Sequence, residues 1–255
     1  MKRWTVKTLR GWLREEFGIV KSVQMLRRAL HRLGWSFKKA RKILAKASTE
    51  KRKKYLEKTL LPLLNESADG QRTLIFVDEA HVHQDADLGY GWAPIDQRLY
   101  APTISPGLFS KKTFYGFFLL EKSQVHIWSA DRANGETTVT MLEKLSAVEL
   151  GPKPTLIWDG APAHRSLKAR EKADELGFEI VRLPGYSPDF MPVEELWKWL
   201  REDVTYNDCP LSLEQLVGRV AAFEKRICDQ PELIAQRLQV RTRLKSEEEK
   251  LRLSK

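Results

Sequence analysis

Three carboxylates in this 255-residue chain have the types and the spacing that could do chemistry. Asp78 follows the apolar run "TLIFV" and Asp159 follows "TLIW", so we expect each aspartate at the tip of a buried strand. Removing a carboxylate from water is costly unless a cation or a hydrogen-bond donor compensates for it. If the two strands are neighbours, the aspartates converge and can bind divalent cations through oxygen. The alternative is that each aspartate caps the loop or helix that follows it.

The third carboxylate, Glu194, lies in "MPVEELWKWL" at the start of a predicted helix over 193–204. The apolar stripe of that helix consists of Val193, Trp197, Leu200 and Val204. At about 100° per residue, Glu194 lies at the edge of the stripe and Glu195 faces solvent. Pro192 suits the first helical position, and the free N–H groups of the first turn favour a carboxylate. Glu194 can therefore border the strand tips, or it can instead complete a helix cap.

The elements that must position these carboxylates follow residue 71 in the order β, ββ hairpin, α, β, α, β, α. Strands are predicted in "TLIFVDEAHV", "KTFYGFFLL", "QVHIWSA", "PTLIWDGAPAH" and "FEIVRLP". Helices are predicted in "GETTVTMLEKLSAVEL", in "HRSLKAREKADELG" and over 193–204. The turn "EKS" makes the second and third strands antiparallel. The order predicts an α/β fold with a mixed sheet flanked by helices, and no Gly-rich loop indicates a nucleotide cofactor.

The first 70 residues are strongly basic, with 19 Lys/Arg against 6 Asp/Glu, whereas the other residues have a net charge of −3. This asymmetry favours nucleic acid as a partner. Two predicted helices, over 5–17 and over 23–33 after a Ser22 cap, resemble a helix-turn-helix whose second helix enters the major groove of double-stranded DNA. The expected DNA-binding residues are Arg27, Arg28, Arg32, Lys38, Lys39, Arg41 and Lys42.

Four regions follow from these patterns. They are a small helical, winged-helix-like domain over 1–47, a connector helix and linker over 48–70, a catalytic domain over 71–208 and C-terminal amphipathic helices over 209–255. Cys209 and Cys228 have no metal-type spacing and form no disulfide framework, which fits a reducing compartment. No segment is apolar enough for a signal peptide or a membrane span. We expect a soluble cytoplasmic protein, associated with the nucleoid and not with a membrane.

The segments "VDEA", "WDGAPAHRS" and "LPGYSPDFMPVEELWKWL" resemble the three catalytic blocks of DDE transposases of the mariner superfamily, in its bacterial insertion-sequence branch. Between Asp159 and Glu194 lie 34 residues, a separation typical of that branch. The resemblance covers about 73–205, and the segment over 5–41 is similar to the family's second DNA-binding subdomain. The resemblance implies an RNase H-like catalytic fold.

The resemblance also implies an activity and a site. Asp78, Asp159 and Glu194 match the family's catalytic carboxylates, which would hold two Mg²⁺ or Mn²⁺ ions. One ion activates water and later a DNA 3′-hydroxyl, and the other stabilises the leaving oxygen. The implied reaction is cleavage of double-stranded DNA at transposon terminal inverted repeats, then strand transfer into target DNA, by a homodimer on DNA. His164 is either an auxiliary contact to the scissile phosphate or a surface histidine.

Two features depart from the family pattern. Met191 stands where asparagine is usual, and loss of such a helix cap costs about 0.5–2 kcal/mol. Ser187 or Asp189 are candidate caps for an earlier start of the helix. The family usually has a further helix-turn-helix upstream of the one seen here, so we expect either the downstream half of a frame-shifted element or a truncated copy.

Two other functions compete with transposition. A catalytically inert, repressor-like DNA-binding protein needs only the basic N-terminal module, and the complete set of three carboxylates argues against it. An RNase H-like nuclease would cut without joining strands, and the helix-turn-helix argues against that function.

Overall fold

The computed structural model of the protein describes residues 4–37, 48–104, 110–161 and 166–244. The chain divides into two compact units, Met1–Ile43 and Leu44–Lys255. Five residues with predicted roles lie outside the described ranges, namely Lys38, Lys39, Arg41, Lys42 and His164.

The first unit contains two helices that pack against each other, α1 (Val6–Phe17) and α2 (Val23–Arg32). Thr5 caps α1 and Ser22 caps α2, each through a side-chain oxygen that accepts a backbone N–H of the first turn. Gly18 ends α1 in the left-handed conformation, with φ of 64°, which glycine adopts without strain. The two predicted helices and the short link between them are confirmed.

The second unit is built on a five-stranded sheet in the order β3-β2-β1-β4-β5. The strands are β1 (Thr73–His83), β2 (Lys111–Leu119), β3 (Gln124–Ala130), β4 (Pro154–Trp158) and β5 (Glu179–Arg182). β1 is antiparallel to β2 and parallel to β4, β2 and β3 form the antiparallel hairpin, and β4 is parallel to β5. The mixed sheet that the sequence predicted is confirmed.

Helices cover both faces of this sheet. Before β1, α3 (Thr49–Tyr55) continues through a π-helical turn, Leu56–Leu60, into α4 (Leu61–Ala68). The later helices are α5 (Gly135–Ser146), α6 (Leu167–Glu175), α7 (Val193–Val204), α8 (Leu213–Cys228) and α9 (Pro231–Arg237). A 3₁₀ turn, Pro188–Phe190, precedes α7. In the described part of the chain, no helix is both long and apolar enough to cross a membrane.

Successive residues of β1 point to opposite faces of the sheet, as the pleat of a strand requires. Leu74 and Phe76 belong to a large core that also takes residues from α4, α7, α8 and α9. Ile75 and Val77 belong to a smaller core with residues of α5 and α6. Asp78 has the same parity as Leu74 and Phe76, so it points toward the face that α7 covers.

The expectation that Asp78 lies at the tip of its strand is corrected by the structure. The parallel pairing of β1 with β4 ends at Val77, opposite Trp158. β1 nevertheless continues to His83, because the long strand β2 still pairs with it there. Asp78 therefore lies inside a strand, at the point where β4 stops and leaves one side of β1 without a partner strand.

The contact between α7 and the sheet is unusually close at Gly116 of β2, the residue in register with Asp78. A Cβ atom on Gly116 would lie 2.7 Å from two ring atoms of Trp197 and 3.0 Å from Cγ1 of Val193. Both are side chains of α7. Only glycine leaves room for the indole at this place.

We expect Gly116→Ala to lower the free energy of unfolding by about 1–3 kcal/mol, the usual cost of overpacking, because the added methyl group must displace α7. Urea denaturation measures the change. The matched control is Gly218→Ala in α8, where an added Cβ meets no atom within 4 Å. Alanine there should instead stabilise the helix by about 0.5–1 kcal/mol. Equal effects of the two substitutions would contradict the packing argument.

Candidate active site

The structure brings the three predicted carboxylates to one edge of the sheet in the second unit. Asp78 and Asp159 each follow one member of the register pair Val77–Trp158, so they extend adjacent strands from the same level. Glu194 is the second residue of α7, and Trp197 of the same helix contacts Asp78 through its indole. Electrostatic interactions link Asp78 to Glu194 and both of them to Asp159, which places the three carboxylates within one cluster.

Asp78 is half-buried and has a defined hydrogen-bond donor. Trp197 donates its indole N–H, Nε1, to Oδ2 of Asp78 at 3.0 Å. Burial, the largest cause, and the negative charges of Glu194, Glu79 and Asp159 together raise the pKa of Asp78 from 3.8 to about 7, against the opposing effect of the hydrogen bond from Trp197. In the absence of a cation, this carboxyl group therefore titrates near neutral pH.

Asp159 is also half-buried, in the loop directly after β4. Its Oδ1 accepts the backbone N–H of Ala161 at 2.8 Å, so one oxygen stabilises the loop that follows. The two interpretations of this aspartate are therefore compatible, because a loop contact uses one oxygen while the carboxylate still interacts electrostatically with Asp78.

Glu194 is exposed in the first turn of α7, and partial desolvation raises its pKa, against the charges of Lys198 and Arg201. It completes no helix cap, because Pro192 is the N-cap residue and has no N–H for a capping-box acceptor. Pro192 thus lies one position earlier than predicted. Glu195 is exposed as expected and pairs with Lys198 on the outer side of the helix.

Neither candidate replacement cap acts as one. Ser187 precedes the 3₁₀ turn but its side chain makes no capping hydrogen bond. Asp189 pairs with two arginines from distant segments, Arg52 and Arg241. The start of α7 is therefore held by contacts that the local sequence does not reveal.

The three carboxylates offer only oxygen ligands, which suits Mg²⁺ or Mn²⁺. Within the described ranges, no group of three or more His, Cys, Asp or Glu side chains is arranged closely enough to hold a metal ion. The chemistry of the three side chains nonetheless fits such an ion, because a bound divalent cation would offset both the burial and the repulsion that raise the pKa of Asp78. His81 and His83 also lie on β1, but they are an odd number of residues from Asp78 and therefore point to the opposite face of the sheet.

Neither Trp197 nor Gly116 was predicted from the sequence to have a role beside Asp78. Trp197 belongs to the apolar stripe of α7, and its burial alone predicts packing. A glycine inside an apolar strand does indicate a close approach of another group, so Gly116 was the one available clue. Only the register between β1 and β2 places that glycine opposite Asp78.

This fold agrees with comparisons to known proteins. Residues 73–217 match the family described as DDE superfamily endonuclease, and residues 2–59 match winged helix-turn helix. The first match covers more than half of the sequence, so the chain belongs to the DDE superfamily of endonucleases. The resemblance to DDE transposases is confirmed.

One curated protein and several solved structures are similar to this chain. The chain is 24% identical over 233 residues to the insertion element IS630 uncharacterized 39 kDa protein of Shigella sonnei, over 90% of this chain. The match spans 66% of that relative, just under two thirds of its length. The Mos1 transposase paired-end complex with left transposon end has a TM-score of 0.60 at 17% identity, covering 93% of this chain and 79% of that one. The Mos1 mariner paired-end complex with Mn gives 0.60 at 14%, covering 93% and 78%. At these identities the structures show a shared fold.

The raised pKa of Asp78 predicts a pH-dependent cost in stability. A carboxyl group whose pKa rises on folding destabilises the folded protein at every pH above the pKa that the group has in the unfolded chain. The cost in the free energy of unfolding should therefore grow from about pH 4 to about pH 7 and then level off. At about 1.4 kcal/mol per pH unit, the rise from 3.8 to about 7 sets an upper limit of about 4 kcal/mol.

We therefore expect Asp78→Asn to be more stable than the parent chain by about 2 kcal/mol at pH 8, since relaxation reduces the upper limit. The asparagine oxygen can still accept the hydrogen bond from Trp197. Urea denaturation from pH 5 to pH 8 in EDTA measures the difference. A difference that stays constant over this range would contradict the raised pKa.

Proposed function

We propose that this protein is a DDE transposase that cleaves double-stranded DNA at transposon ends and joins those ends to target DNA. The observation that carries the proposal is the convergence of Asp78, Asp159 and Glu194 from two adjacent strands and the first turn of a helix. Membership in the DDE superfamily supports it. Two Mos1 structures with the same fold are paired-end complexes named as containing Mn or Mg, and we infer the same ions here.

In this proposal the three carboxylates would hold two Mg²⁺ or Mn²⁺ ions. When bound, such ions activate the attacking hydroxyl and stabilise the leaving oxygen of an in-line displacement at phosphorus. The chain's own contribution is positioning. The strand pairing fixes the separation of Asp78 and Asp159, α7 supplies Glu194, and Trp197 orients Asp78 through Oδ2. Such positioning is the main source of rate in phosphoryl transfer.

The first unit would bind the transposon ends. Leu26 is buried on α2, whereas Arg27, Arg28 and Arg32 are exposed along the same helix. A helix with this distribution can insert into the major groove while its arginines contact phosphates. Lys38, Lys39, Arg41 and Lys42 are proposed to extend this contact. We further propose a homodimer that pairs two ends, in the cytoplasm where bacterial DNA lies.

Cleavage and strand transfer on DNA that carries the parent element's ends test the catalytic assignment. With Mg²⁺ or Mn²⁺, Asp159→Ala should lose nicking and joining by about 10²–10³-fold, the scale for removing one group that stabilises developing charge. DNA binding should persist. Glu195→Ala removes the same charge from a residue that pairs with Lys198 on the outer side of α7, so its rate should equal that of the parent chain.

Equal losses in both variants would refute the assignment of the carboxylates. Binding without cutting by the parent chain would favour the inert DNA-binding protein instead. Cutting without joining would favour a nuclease.

The salt dependence of DNA binding tests the role of α2. Arg28→Ala should make the slope of log K against log salt shallower by about 0.9, as expected for one lost phosphate contact. Fluorescence anisotropy at several salt concentrations measures the slope. Lys225→Ala removes one exposed positive charge from α8 and should leave the slope unchanged. Equal changes would mean that net charge, not the surface of α2, controls binding.

A further inference from the structure

Helix α7 carries Glu194 in its first turn but begins without a side-chain cap. Met191 is buried and Pro192 is the N-cap residue, and neither has a side-chain oxygen for the free N–H groups. The backbone hydrogen bonds of this turn join residues only three positions apart, as two examples show. Met191 N–H donates to Pro188 O at 2.9 Å, and Glu194 N–H donates to Met191 O at 3.2 Å. A start of this kind needs support from elsewhere in the fold.

That support comes from Asp189, in the 3₁₀ turn five residues before Glu194. Arg52 of α3 donates Nη1 to Oδ1 at 2.8 Å and Nη2 to Oδ2 at 2.6 Å, a bidentate pair. Arg241 pairs with the same Oδ2. Burial opposes ionisation of Asp189, but the hydrogen bonds and charges of the two arginines outweigh it and lower its pKa.

The residue after Asp189 is held by the same helix. Phe190 is completely buried, and the guanidinium carbon of Arg52 lies 4.8 Å from the centre of its ring. The ring of Tyr55, one turn further along α3, lies 5.8 Å from that of Phe190. Helix α3 thus holds both the charged and the aromatic side chain of the turn. Arg52 itself is fully buried, so it has no alternative contact with water.

We propose that Arg52 is a positioning residue for Glu194, acting through Asp189 and the turn that starts α7. The proposal rests on the role of Glu194 in the proposed function. A guanidinium fork and a carboxylate define one relative geometry, whereas a lysine ammonium does not. Without the fork, Asp189 keeps a buried charge that is poorly paired, and the turn moves toward water. A carboxylate carried by that turn then loses the placement that metal binding needs.

A second nearly buried arginine in the same unit provides the matched control. Arg72 donates Nε to Glu66 at 2.7 Å and Nη1 to Thr155 at 2.6 Å, and it also pairs with Glu179. Glu66 lies in α4, and Thr155 and Glu179 lie at the starts of β4 and β5, opposite to the end that carries Asp159. Replacing Arg72 therefore damages the fold in a chemically similar way without disturbing the turn before α7.

The experiment compares Arg52→Lys with Arg72→Lys in the full chain. Both should lower the free energy of unfolding. Only Arg52→Lys should accelerate amide hydrogen exchange in the segment 187–196, by about tenfold, because local opening of that turn becomes easier. Only Arg52→Lys should weaken Mn²⁺ binding, measured by electron paramagnetic resonance, by about 10–100-fold, as is usual when the support of a metal ligand is lost.

Equal exchange and equal Mn²⁺ affinity in the two variants would overturn the proposal. If Arg52→Lys does not fold, Asp189→Asn removes the same charge pair from the other side and should accelerate exchange in the same segment. A parent chain that neither binds Mn²⁺ nor cuts DNA would refute the proposed function. The exchange measurement would still decide whether Arg52 fixes the turn.

Discussion

The repulsion among three carboxylates in a partly desolvated cluster is the constraint on which the second unit depends. Burial, together with this repulsion, raises the pKa of Asp78 to about 7. Flexible loops would relieve such repulsion by moving apart, so the groups must come from rigid elements. Asp78 lies within β1 and Asp159 directly follows β4, two strands that backbone hydrogen bonds hold in register. Glu194 lies in the first turn of a helix that is packed against the same sheet.

Helix α7 connects the parts of this cluster. Its first turn carries Glu194, and its next turn carries Trp197, which donates to Asp78. The helix can approach so closely because Gly116 leaves space for the indole. One rigid element therefore provides one carboxylate and orients another. Any shift of α7 moves Glu194 and the indole that donates to Asp78 at the same time.

Much of this arrangement was predictable because its signals are local. Apolar runs followed by aspartate, the hairpin turn and the helical stripe of α7 gave the sheet, the hairpin and the three carboxylates. The extent of β1 beyond Asp78 was not predictable, because it depends on the length of its partner β2. The pairing of Arg52 with Asp189 joins residues 137 positions apart, and no local pattern encodes such a contact. Met191 indicated only that the usual cap was missing.

The pairing of Asp189 with Arg241 has a consequence for the newly made chain. Arg241 is 52 residues later in the sequence, so it leaves the ribosome last of the three. At roughly 5–20 residues per second, Arg241 is added about 3–10 s after Asp189. During translation the turn before α7 thus has its first partner, Arg52, but not its second. The turn before α7 therefore gains its full set of charged partners only after a further 52 residues have been made.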